Sequence, residues 1–238
     1  MAYFNWSQMD RATLYSYFYS LNKSIVGKSL TPTQITKIIS TTIKSVLPIK
    51  VVKHIGIDNK RGYVYMGGMY YSDYDSASRK AIELNLHFHE DDTRISITQY
   101  RFKRMAVRFA DIMLHEMIHM RQFRARNFKS LPGYQSTVEN SKIRQEQTYL
   151  GDRDEMGAFA FNIACEMIDK FGYDIIAIGN FLNTNSTKYK NSWWYSYVKA
   201  FHFDHRHPII RRMKNLIMRQ LDNAYLGKPF KTSNHLTY

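Results

Sequence analysis

Between Met105 and Phe123 most side chains are apolar, yet one line of polar groups crosses the segment. Residues such as Met105, Phe109, Ile112, Met113, Met117 and Met120 leave no broad wet face, which predicts a helix over Arg101–Asn127 buried on nearly all sides. Arg108, Asp111, His115, His119 and Gln122 step by three and four, so they fall on one stripe of that helix. Burying such groups is costly unless they are paired or bound to a metal. Within the stripe stands His115-Glu116-Met117-Ile118-His119. Two imidazoles one turn apart can reach a single metal ion, and Glu116 then lies beside it as an available base. The alternative is a pair of satisfied core histidines.

A catalytic zinc takes three protein ligands and keeps one position open for water, so a further ligand must come from elsewhere in the chain. Glu155 is the choice among the downstream acids. It opens a predicted helix, Glu155–Phe171, where Gly157, Ala158, Ala160 and Ala164 are small enough for close approach of the central helix. A competing reading makes Asp152-Arg153-Asp154-Glu155 a helix cap, with Glu155 at its third position bonding backbone amides.

The 238 residues fit one α+β domain, with a helical front part (1–48), a small, mostly antiparallel sheet (49–100), a helical part with the metal site (101–226) and a tail (227–238). In the front part an aromatic-rich segment, with Tyr3, Phe4, Trp6, Tyr15 and Phe18, has roughly helical spacing. A second helix begins at Thr31-Pro32, a good cap followed by a proline allowed at the first position, and Pro48 stops it. Strands are expected at Ile49–Ile57, Tyr63–Tyr71, Ala81–His89 and Arg94–Tyr100. In the third, Ile82, Leu84, Leu86 and Phe88 alternate with Glu83, Asn85, His87 and His89, giving one buried face and one polar face. His87 and His89 are then exposed sheet residues rather than ligands. Trp193-Trp194-Tyr195-Ser196-Tyr197 is either core or a stacking surface. After Pro208 an amphipathic helix runs on, ended by Gly227 and Pro229.

Composition narrows the setting. A single cysteine, Cys165, in an apolar pattern excludes a disulfide framework. No apolar run approaches bilayer length and the first residues lack the pattern of a secretion signal, so the expectation is a soluble, cytoplasmic protein with no membrane partner. The 34 Lys and Arg against 20 Asp and Glu give +14, a charge that draws nucleic acid or another acidic surface, though no nucleic-acid module accompanies it. A solvated basic surface is the plainer reading.

Leu114–His119 with Asp154-Glu155-Met156-Gly157-Ala158-Phe159-Ala160 resembles the gluzincin metallopeptidases, in which His-Glu-x-x-His is followed by a glutamate on a second helix. The resemblance spans roughly residues 81–213. It implies a zincin-like fold, one Zn2+ held by His115, His119 and Glu155, and Glu116 as general base. The helix, through Gln122, is also similar to small His-Glu-x-x-His proteins encoded by bacteriophages, some of them SprT-like, which implies host cytoplasm or virion as location. No third histidine in a short His-Gly pattern and no cysteine pairs follow, unlike SprT-like proteins. Phe201–Met213, with His202, His205 and His207 before Pro208, is similar to a His-Pro…Arg element in one branch of zinc peptidases, although Arg212 follows the proline after three residues instead of four. That likeness implies His207 and Arg212 near the metal, binding an oxyanion; a structural helix start is the alternative. The resulting expectation is a zinc-dependent metalloendopeptidase acting on a protein or peptide, which pairs with a sheet edge at Ala81–His89 or Arg94–Tyr100. Two other classes stay open: a zincin acting on nucleic-acid-bound proteins, and a non-catalytic structural or virion protein that retains the fold.

Overall fold

The computed structural model describes residues 9–77, 80–184 and 192–225 of an α+β chain. Tyr3, Phe4, Trp6, most of the polar stretch after Asn183, and the expected stop at Gly227 and Pro229 with its tail lie outside the described residues. The chain divides into two compact units, Met1–Met120 and Arg121–Tyr238.

In the first unit, α1 (Arg11–Tyr19) starts where Asp10 accepts from the Thr13 amide at 2.7 Å, and buries Leu14 and Phe18. The short α2 (Asn22–Ile25) and β1 (Ser29–Leu30) follow. In α3 (Pro32–Val46), Thr31 and Gln34 exchange both bonds of a capping box, Pro32 takes the first turn, and Ile35, Ile39 and Ile43 are buried at helical spacing. Pro48 forces an extended residue before it, and the helix ends at Val46.

Three strands, β2 (Lys50–Gly56), β3 (Tyr65–Tyr70) and β4 (Ile82–His89), form a sheet in the order β2-β4-β3. The β4–β3 pairing is antiparallel, but β4–β2 is parallel, so this sheet is mixed where the sequence suggested a mostly antiparallel one. The reason is strand order: β2 and β3 do not pair with each other, and β4 enters between them. Alternation alone carries no information about such insertion. The apolar row Ile82, Leu84, Leu86 and Phe88 is buried as expected. Its polar row is more covered than expected, because a central strand has neighbours on both sides. Glu83 and Asn85 are buried and partnered, by Lys50 Nζ at 2.8 Å and His54 Nε2 at 2.6 Å, and His87 stacks on His54 at 4.7 Å. Burial, with His54 as a smaller contributor, lowers the His87 pKa.

After the five-residue α4 (Ser72–Ser76), β5 (Ile95–Ser96) pairs with β1. The expected fourth strand is thus only two residues long, because helix α5 (Gln99–Ala125) already begins at Gln99. α5 buries Phe102, Phe109 and Met113 among others, with Phe18 stacked 5.6 Å from Phe102 and tilted 4.9 Å from Phe109.

The second unit holds α6 (Ser141–Gly151), α7 (Arg153–Phe171), α8 (Ile175–Leu182), α9 (Trp193–Ala200) and α10 (Pro208–Tyr225). Their core includes Met156, Ile163, Trp194, Tyr197, Ile210 and Ile217, so the Trp193–Tyr197 run contributes packing. Cys165 is buried and unbridged. No described helix is long and apolar enough to cross a membrane.

Candidate metal centre

The polar stripe of α5 is buried where it matters most. His115, Glu116 and His119 are 8%, 6% and 7% exposed, although each can ionise or accept charge. Helical spacing brings the two imidazoles to 4.8 Å between ring centroids, at 75° to each other. One turn before His115, Asp111 takes a charged bond from Arg11 Nε at 2.8 Å, and burial lowers the Arg108 pKa against the opposing pull of Asp111.

Glu155 supplies the third group. One ligand atom from each of His115, His119 and Glu155 lies within 4.8 Å of the others, and among the described residues this is the group of three or more His, Cys, Asp or Glu so disposed. Two imidazole nitrogens and a carboxylate oxygen form a donor set suited to a catalytic zinc. The capping role falls to Asp152 instead. Its Oδ1 accepts from the amides of Asp154 and Glu155 at 2.8 and 3.5 Å, while its own N–H bonds Tyr149 O rather than the Glu155 side chain. Glu155 also acts on Tyr197, whose buried hydroxyl has a pKa raised well above 10.0, first by desolvation and then by the charge of Glu155. That hydroxyl donates to Leu150 O at 2.5 Å.

Glu116 is approached by the sheet. A Cβ on Gly68 would lie 2.6 Å from Glu116 Oε1, 2.8 Å from its Cγ and 2.5 Å from Ile112 Cγ2, so β3 comes against α5 at the presumed base only because residue 68 has no side chain. Sequence reasoning passed over Gly68; its one available signal was a glycine pair, Gly67-Gly68, inside a strand pattern. The same strand corrects the expected substrate edge. Ala81–His89 is the central strand, paired on both sides, and Arg94–Tyr100 contributes only the two-residue β5 before α5 begins at Gln99, whereas β3 is an outer strand.

His207 and Arg212 stand at the start of α10. His207 Nδ1 accepts from the Ile209 amide at 3.2 Å as α10 begins, its ring is 4.7 Å from Phe201, and burial lowers its pKa against a smaller opposing effect of Asp204. Arg212 sits half-buried on the first turns of α10. His202, with φ 56°, is exposed, and His205 has its pKa lowered by burial and then by Lys214. None of the three histidines belongs to the metal-capable group.

Comparison of the chain with family models, with curated proteins and with solved structures gives no match.

Proposed function

We propose that the protein is a zincin-like, zinc-dependent metalloendopeptidase of gluzincin type. The observation that carries this reading is the convergence of His115, His119 and Glu155 with Glu116 buried on the same helix turn. His115, His119 and Glu155 would hold one Zn2+. When bound there, zinc lowers the pKa of its water towards about 7 and polarises the scissile carbonyl.

The remaining chemistry belongs to the chain. Glu116 accepts the proton of the attacking water and delivers it to the departing amine, so no covalent enzyme intermediate is needed. Burial of the Glu116 side chain keeps bulk water from competing for that proton. An extended substrate pairs with the outer edge of β3, whose Gly68 lies against Glu116. Replacing Glu116 by Gln tests this: peptide hydrolysis is expected to fall by about 10²–10⁴-fold with zinc still bound at one per chain. Undiminished cleavage by Glu116→Gln would refute the mechanism.

A second reading, a peptidase acting on nucleic-acid-bound proteins, draws on the charge of +14. It differs in predicting cleavage that DNA stimulates and salt suppresses.

A further inference from the structure

We infer that Gln122 and Arg126 form a clamp that positions the third ligand of the metal site. This inference rests on the zinc reading above. The stripe of α5 does not stop at His119: Gln122 follows three residues later on the same face, and Arg126 stands just past the helix end at Ala125.

Both residues grip Asp154, the neighbour of Glu155. Gln122 Nε2 donates to the Asp154 carbonyl at 3.2 Å. Arg126 forks the Asp154 carboxylate, with Nη1 to Oδ1 at 2.7 Å and Nη2 to Oδ2, at side-chain exposures of only 16% and 17%. The Asp154 amide is in turn held by Asp152 Oδ1 at 2.8 Å. Amide, carbonyl and carboxylate of the residue before the ligand are therefore all fixed. Arg126 is itself fixed: Nε donates to Lys129 O at 2.5 Å, and the guanidinium lies 4.0 Å from the Phe123 ring centre. A bidentate Arg–carboxylate pair sets direction as well as distance, which a lysine cannot reproduce.

Gly157 completes the arrangement. A Cβ there would meet Gln122 Nε2 at 2.7 Å, so a side chain at 157 would push Gln122 off the Asp154 carbonyl. The consequence is chemical. Two ligands share one rigid helix, but the third comes from a different helix, and its carboxylate must meet a metal within a few tenths of an ångström. Outer groups that orient a ligand are commonly worth a factor of about 10–100 in metal affinity. Gln122 and Arg126 are thus positioning residues, acting through the backbone of α7.

The test titrates metal-free protein with Zn2+ against a chromophoric chelator, and with Co2+ read by its d–d absorption, well below the unfolding temperature. Arg126→Ala is expected to weaken Zn2+ binding about 10–100-fold and to alter the Co2+ spectrum, with Arg126→Lys rescuing little of either. Gly157→Ala should weaken binding by a smaller factor without loss of helix stability, since alanine is the better helix former. Variants that bind both ions as the parent does would overturn the clamp and leave the zinc reading standing. A parent that binds no Zn2+ would overturn the zinc reading itself, and the clamp with it.

Discussion

The segment of this chain with the most histidines is not where the metal-capable group forms. His202-Phe203-Asp204-His205-Arg206-His207 places three histidines within six residues, against two within five on α5. In the denser run the backbone turns sharply, with His202 and Phe203 at φ 56° and 57°, and the rings disperse. His202 is exposed, His205 neighbours Trp194 and Lys214, and His207 faces Phe201 and caps α10. On α5 an unbroken helix repeats the same direction every four residues, so both rings arrive together. Donor periodicity on a rigid element matters more than donor number.

The sharpest way to break this contrast is to remove one member from each segment. His115→Ala is expected to abolish stoichiometric zinc binding and bring hydrolysis to background, whereas His205→Ala keeps one zinc per chain by elemental analysis. Equal zinc loss in both variants would erase the distinction. Gly68→Ala comes next: by displacing Glu116 it should lower kcat on the order of 10²-fold while zinc content stays at one. Steady-state kinetics with metal analysis on the same sample checks it, and unchanged kcat would mean that β3 yields without moving the base.

Smaller effects are expected from the 202–207 run. His207→Ala removes an acceptor at the start of α10 and should cost about 1 kcal/mol in chemical denaturation, with zinc retained. Zinc loss there would join the two segments into one site. Burial also holds the His205 and His207 pKa values below 6.5. The unfolded chain then takes up protons at higher pH than the folded one, so stability is complete above about 6.5 and falls as pH drops below it. Denaturation curves across pH 7.5 to 5 should show this decline, and it should shrink in a His205→Gln, His207→Gln double variant.

Much of α5 was legible because its signals are local. The period of Arg108, Asp111, His115, His119 and Gln122 is visible in sequence, as is the Thr31–Gln34 capping box. Glu155 was reachable by a different route, the ligand count that zinc requires. What escaped was non-local. The insertion of β4 between β2 and β3 depends on which strands meet, and a run of alternating residues is compatible with either a parallel or an antiparallel neighbour. The approach of Gly68 to Glu116 and the Arg126–Asp154 fork join residues 48 and 28 positions apart, respectively. Arg126 follows Gln122 by four residues, just past the helix end, yet among so many basic residues it read as surface charge.

The most direct test is an anomalous difference map at the zinc edge from crystals grown with zinc. The account predicts one strong peak about 2.0–2.2 Å from a nitrogen of His115, a nitrogen of His119 and a carboxylate oxygen of Glu155, with none at His202, His205 or His207. A zinc held by the 202–207 run, or one that leaves Glu155 uncoordinated, would contradict it.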